Sequence, residues 1–294
     1  MQGITIFDFD RSVTFQDTFL RNFKHLIMTR PMSSYQRVAR LWSSVKNFQK
    51  VSSSMQLENT CQFVLLGSGD YHHLSLALLA QHTTPFTLVL FDNHPDWMRP
   101  PHKYHCGSWV YTAARMTQIE RIVIIGLENG DLAGKNFLDG DVDSYFQQKI
   151  VLLPYLPINA LTQHSQPLIR LESKLKVDLS DGIQQILDSI TTKDVYISID
   201  KDCLREQDAI TNWEQGTLPL DVVLKCISTI TTHHNLVGAD TVGDYSPPVF
   251  TSPLKWIGSL FDRPSNALRM NLQHEANELN AITNTKLATV LGCI

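Results

Sequence analysis

Seven short apolar runs constrain the fold of this chain more than any other feature: "GITIFDF", "QFVLLG", "TLVLFD", "RIVIIG", "KIVLLP", "DVYISID" and "NLVGAD". Most of them end at Gly, Asp or Pro. Helix-length amphipathic segments lie between many of them, including "HLSLALLAQH" and "DGIQQILDSITT". A strand with one wet face alternates polar and apolar residues. Runs that are apolar throughout, with helices between them, indicate a parallel sheet covered on both faces. Polar residues gather at the C-terminal ends of the runs, where open α/β sheets place their ligands. No internal repeat or low-complexity linker interrupts the pattern, so residues 1–294 read as a single α/β domain. "RPMSSYQRVARLWSSVKNFQKVSSS" reads as a helix with loose flanks, and "NALRMNLQHEANELNAI" as a terminal helix. The region from Phe137 to Lys176 carries no clear pattern.

Composition narrows the function classes. The chain is 43% hydrophobic and 18% charged, enough for a large core. Its formal net charge is -4, from 25 basic and 29 acidic residues, and no basic block stands out. Nucleic acid is therefore not an expected partner. Five cysteines without a C-x-x-C spacing argue against a disulfide framework or a cysteine zinc site and suit a reducing compartment. "MQGITIFDFD" has acids where a signal peptide needs a basic region, and no apolar run approaches the roughly 20 residues of a membrane helix. The expectation is a cytoplasmic protein with no membrane partner.

"TLVLFDNHPDW" ends an apolar strand with Asp92, His94 and Asp96 at alternate positions. Residues two apart on a strand share a face. Carboxylates brought that close repel unless a cation joins them. Carboxylate oxygens with an imidazole nitrogen suit a divalent metal such as manganese. A solvated loop would explain this motif if it stood alone. However, "VYISIDKDCL" repeats the pattern with Asp200 and Asp202, and "LLGSGDYHHLS" passes through a glycine turn to His72 and His73. Parallel strands would gather all three along one sheet edge. So many ligands suit two metals with shared carboxylates, about 3.5–4 Å apart.

In order, G-S-G-D-Y-H-H, D-N-H-P-D and S-I-D-K-D-C-L resemble the three metal-binding signatures of the arginase–agmatinase (ureohydrolase) family, G-G-D-H-S, D-A-H-x-D and S-x-D-x-D-x-x-D-P. The resemblance runs from Cys61 to Pro247. It implies an arginase-like three-layer α/β/α sandwich around a mostly parallel sheet of about eight strands. It also implies a dinuclear Mn2+ centre that hydrolyses the C–N bond of a guanidino or related amidine small molecule through a metal-bridging hydroxide. Family members are often trimers or hexamers, so a homo-oligomer is a further expectation. Residue by residue, Asp92 and Asp200 match the bridging carboxylates. Asp96 and the motif histidine match ligands of one metal, and His94 and Asp202 ligands of the other. "GSGDYHH" has one residue more than the usual motif before its first histidine. His72 is the nearer register and His73 the alternative.

The substrate-facing positions depart from the family. In "PPHKYHCGSWV" Cys106 stands at the usual histidine position, with His105 one residue earlier and His102 nearby. His105 is assigned to deliver the proton that a departing amine needs. In "GADTVGDYSPP" Gly243 stands where the family has a glutamate. The neighbouring Asp244 is assigned to hold the substrate's NH fork, and Asp240 matches an earlier acid of that motif. Arg205 and Glu206 replace the usual D-P. Trp213, Glu214 and Gln215 stand where side chains reach a pocket mouth, Arg99 and Lys103 are available to an anionic group, and Trp109 reads as core. A complete metal set beside an altered substrate set implies a divergent branch acting on something other than free arginine.

Two other readings compete. "FDFDRSVT" resembles the first motif of haloacid-dehalogenase-like phosphatases, with Asp8 as nucleophile and Asp10 as acid–base. Those enzymes also need a later lysine and a later strand-end acidic pair, and Asp200 and Asp202 are better used by the metal reading. The changes at Cys106 and Gly243 motivate the second alternative, an arginase-like metal-binding protein without turnover.

Overall fold

Successive side chains of the apolar runs point to opposite faces of the sheet, and both faces meet helices. Leu88, Leu90, Ile122 and Ile124 join one buried cluster with Leu76, Leu79, Trp109 and Val110. Val89, Phe91, Val123 and Ile125 join a second with Ile186, Val223, Ile227 and Leu287. That double burial is why the runs show no polar alternation.

The computed structural model describes residues 1–99, 104–128, 130–160, 169–247, 255 and 272–293. Its strands are β1 (Ile4–Asp8), β2 (Ile27–Pro31), β3 (Trp42–Ser43), β4 (Phe63–Gly67), β5 (Phe86–Phe91), β6 (Tyr104–His105), β7 (Ile119–Ile125), β8 (Ile150–Leu153), β9 (Ile158–Ala160), β10 (Ile169–Leu171), β11 (Asp194–Asp200) and β12 (Asn235–Val242). Eight of these form one sheet in the order β2-β1-β4-β12-β11-β5-β7-β8, and every neighbouring pair is parallel. The short pairs β3–β6 and β9–β10 are antiparallel. Helices Val45–Ser54, Ser75–Leu79 and Trp109–Ala113 pack on one face. Helices Leu179–Ser189, Leu220–His233 and Gln273–Val290 pack on the other. The result is the three-layer α/β/α sandwich expected from the sequence. Among the described residues no helix is long and apolar enough to cross a membrane.

One strand left no mark in the sequence, and one expectation needs correction. The edge strand β2 has no apolar run, because most of it is partly or fully exposed, and an edge position also tolerates its closing Pro31. The helix expected around residues 30–54 is broken. A short helix, Gln36–Ala39, is followed by Leu41 at φ 64°, then β3, then Val45–Ser54. The cause is tertiary. Arg40 is 1% exposed and donates from Nε to Asp70 Oδ2 at 2.6 Å. Its other nitrogens donate to the carbonyls of Ser246 and Pro247 at 3.2 and 3.3 Å. The terminal helix continues past Ile282 to Val290, and the start of its expected span lies outside the described residues.

Arg40 thus anchors the segment before β3 to the turn that carries His72. Arg40→Met removes the charge facing a buried carboxylate, and loss of one partner of a buried pair costs about 3–5 kcal/mol. The expected outcome is a correspondingly lower urea-unfolding midpoint. An unchanged midpoint would show that the pair does not hold this segment.

Candidate metal centre

Three strand ends open their turns with the same device, a side-chain oxygen accepting the backbone N–H two residues on. Ser68 Oγ accepts from Asp70 at 3.4 Å after β4, Asp92 Oδ1 from His94 at 2.7 Å after β5, and Asp200 Oδ1 from Asp202 at 3.0 Å after β11. These turns face one another because β11 and β5 are neighbours and only β12 separates β11 from β4. Asp96 is held at φ 47°, in the left-handed region that L residues seldom adopt. Val110 N–H to its carbonyl at 3.0 Å and Trp109 Nε1–H to its Oδ2 at 2.7 Å hold it there. Gly243, at φ 88°, closes the far side. A Cβ there would lie 2.5 Å from Asp200 Oδ1 and 2.8 Å from Lys201 N. No glutamate fits that position without moving the turn.

His72 Nδ1 faces three carboxylates, Asp92 Oδ2 at 3.4 Å, Asp96 Oδ2 at 3.3 Å and Asp200 Oδ2 at 3.4 Å. His94 Nδ1 lies 2.9 Å from Asp202 Oδ2 and 3.8 Å from Asp92 Oδ1. His72, Asp92 and Asp200 bring their ligand atoms within 4.8 Å of one another, and so do Asp92, His94 and Asp202. Asp92 belongs to both groups, while Asp200 joins only the first. His73 instead meets Ser43 Oγ through Nε2 at 3.3 Å and is in neither group.

Electrostatics single out this spot. Burial and then Asp96, Asp202 and Asp200 push Asp92 well above the usual carboxylate range. Burial, followed by Asp200, raises Asp202 to about 6. Burial alone would depress both histidines. Instead, Asp200 and Asp96 raise His72, and Asp202 raises His94, each to about 10. His72 Nδ1 and Asp92 Oδ2 are buried and have no hydrogen-bond partner. Hard oxygens, imidazole nitrogens and two orphaned buried atoms fit two divalent cations.

The support behind His72 fixes its tautomer. Ser198 Oγ donates to Asp240 Oδ1 at 2.8 Å, and His72 Nε2 lies 3.1 Å from the same hydroxyl. The hydroxyl proton is committed to Asp240, so Ser198 accepts from Nε2–H, and Nδ1 is the nitrogen that gives up its proton to the acids' side and offers a lone pair there when the ring is neutral. Ser75 and Tyr196 also donate to Asp240, at 3.0 and 2.8 Å. Sequence reasoning left Asp240 unassigned and missed Ser75, Tyr196 and Ser198. Their hydroxyls carry no motif, although Ser198 shares a strand face with Asp200.

The other expected residues are distributed as follows. His105 is half-buried on β6, with its ring fixed by Gly107 N–H to Nδ1 at 3.0 Å. A Cβ on Gly107 would touch both that Nδ1, at 3.5 Å, and Asp96 Oδ1, at 4.0 Å, which puts His105 beside the cluster. Cys106 and Trp109 are buried, and Arg99 is exposed. His102 and Lys103 lie outside the described residues. Asp244 has no exposed area. Its Oδ1 meets Lys201 Nζ at 2.7 Å and accepts from Gln16 at 2.8 Å and Asn284 at 3.1 Å. Asp131, missed in the sequence, is close enough to His94 to help raise its pKa. Asp8 and Asp10 cap their own loop through Arg11 and Ser12. They sit at the end of β1, three strands from β11 and so about 14 Å away across the sheet. Among the described residues neither joins a ligand group.

Known proteins share the fold. No family model matches the chain. An uncharacterized protein of Thermotoga maritima is 28% identical over 185 residues, which is 63% of this chain, and the match spans 59% of that relative's length. Arginase from Bacillus subtilis superposes with a TM-score of 0.59 at 14% identity over 99% of both chains. A formiminoglutamase variant from Trypanosoma cruzi, solved with Mn2+, superposes with a TM-score of 0.52 at 13% identity over 98% of this chain and 91% of its own. The chain has the fold of the arginases and agmatinases.

Two measurements test the centre. A cation must displace the protons held by His72 and His94, so affinity should weaken from about pH 8 to about pH 6. Calorimetry in buffers of different ionisation enthalpy should record proton release on binding. PH-independent affinity without proton release would contradict this electrostatic account. Ser198→Ala removes the acceptor of Nε2–H and should weaken metal binding about 10–100-fold without unfolding the protein.

Proposed function

We propose that this protein is a dinuclear metal hydrolase that cleaves the C–N bond of a guanidino or related amidine compound, with manganese as its metal. One observation carries the reading: two ligand groups, buried except for a partly exposed His94, share Asp92 at the C-terminal edge of an arginase-like sheet. His72, Asp92 and Asp200, with Asp96 beside them, would hold one cation. Asp92, His94 and Asp202 would hold the other. When bound, such a pair supplies Lewis acidity and a nucleophile active near neutral pH.

This chain's own groups supply the remaining chemistry. Hydrolysis adds water across the amidine carbon and releases an amine, which must gain a proton. His105, beside Asp96 with its ring fixed by Gly107, is the proton donor in this reading. Asp244, whose Oδ1 is already committed to Lys201, Gln16 and Asn284, holds the turn after β11 in this reading. The altered substrate side supports a compound other than free arginine. The same reading takes a small-molecule partner, a cytoplasmic setting and a homo-oligomeric assembly.

A urea-, formamide- and ammonia-release screen over guanidino and formimino compounds, with manganese present, tests the reading. The expected outcome is two metals per chain by elemental analysis and release from at least one compound, both abolished in Asp200→Asn. Two metals without release from any amidine would leave a metal-binding protein without turnover. Phosphatase activity that survives Asp200→Asn and disappears in Asp8→Asn would replace the reading altogether.

A further inference from the structure

The loop between β11 and helix Leu220–His233 is held with more bonds than a surface connection needs. Ile210 N–H donates to Asn280 at 3.0 Å and Thr211 N–H to Gln215 Oε1 at 3.2 Å. Asn212 exchanges two bonds with the backbone of Ser246, at 2.8 and 2.9 Å. Asn93 Nδ2 donates to the Glu214 carbonyl at 2.9 Å. Gln215 Nε2 returns to the carbonyls of Leu204 and Ala209 at 3.1 and 2.9 Å. The turn after β5, the segment after β12 and the terminal helix therefore all fix this loop.

The frame presents one large side chain, Trp213. Trp97 and Trp109 are each 1% exposed, whereas Trp213 is only half-buried. It stands against both ligand groups. A Cβ on Gly69 would lie 2.9 Å from Trp213 Cδ1 and 3.0 Å from Asp200 Oδ2, so the indole and that carboxylate meet over the same glycine. Only a residue without a side chain lets them do so. The ring also packs against His94, with centroids 6.2 Å apart and planes at 72°. Asp200 belongs to the first group and His94 to the second. Trp213 is thus an aromatic wall spanning the two groups beside a cluster of carboxylates.

A rigid indole next to concentrated negative charge has a definite ligand preference. Tryptophan has the strongest π-face attraction for cations, and a planar guanidinium stacks on an aromatic ring as well as pairing with carboxylates. We propose that Trp213 determines specificity as the stacking platform for the planar amidinium or guanidinium group of the substrate. This rests on the hydrolase reading above. Urea has the shape of guanidinium without its charge, so the platform holds the cationic substrate more strongly than a neutral product.

The test uses manganese-loaded protein and the variants Trp213→Phe and Trp213→Leu. Low-millimolar guanidinium chloride should perturb tryptophan fluorescence in the wild type and not in Trp213→Phe, and urea at the same concentration should do so in neither. On the substrate found by the release screen, Trp213→Leu should raise KM about tenfold, with a smaller change in kcat and an intermediate KM in Trp213→Phe. Equal responses to guanidinium and urea, or an unchanged KM in Trp213→Leu with hydrolysis intact, overturn the platform and leave the hydrolase reading standing. A guanidinium-specific response that depends on Trp213, in a protein that hydrolyses nothing, keeps the platform and sinks the hydrolase reading.

Discussion

The carboxylates of Asp92, Asp96, Asp200 and Asp202 repel one another at a buried sheet edge, and the surrounding architecture opposes that repulsion. Backbone N–H groups from the turns after β5 and β11, the Trp109 indole and two imidazoles all aim at the acids. None of these neutralises the site fully, because two raised imidazoles face four carboxylates. Folding therefore assembles a place whose electrostatic cost falls when cations enter, so binding and stability are linked. Hydroxyls of Ser75, Tyr196 and Ser198 around Asp240 extend this order one layer deeper, where they select which nitrogen of His72 carries a proton.

How much of this was legible in the sequence depends on the range of the interactions involved. The apolar runs were readable because double burial leaves a local mark on composition. The clustering of the candidate ligands was readable because strand alternation translates spacing into facing, and the three motifs then fall on strands close together in the sheet. β2 was invisible because an exposed edge strand needs no apolar run. The break at Leu41 was invisible because its cause, the Arg40 side chain, finds Asp70 and the Ser246–Pro247 segment far along the chain. The hydrogen-bond chain from His72 through Ser198 to Asp240 was missed for the same reason, since serine and tyrosine carry no signature until β11, β12 and the helix Ser75–Leu79 bring them together.

Gly243 illustrates how structure changes the meaning of a departure from a motif. From sequence alone it looks like a lost acid. In three dimensions the position is closed by Asp200 and the backbone of Lys201 and is held at a positive φ, so a small residue is what the local packing requires. The next residue, Asp244, turns inward to Lys201 rather than toward the open edge. In the proposed reading the substrate is met from other parts of the chain, by His105 on β6 and by Trp213 in the loop after β11.

Lys201 stands between two of the ligand carboxylates in sequence, and its ammonium is wholly buried against Asp244 and Asn284. Asn284 lies on the helix Gln273–Val290, and Gln16, bonded to both Asp244 and Asn284, comes from the first loop of the chain. The two most distant stretches of the polypeptide are therefore keystones of a turn that neither of them touches through a ligand. Fraying of the terminal helix would remove one of the two partners of the only ammonium that sits, in sequence, between Asp200 and Asp202.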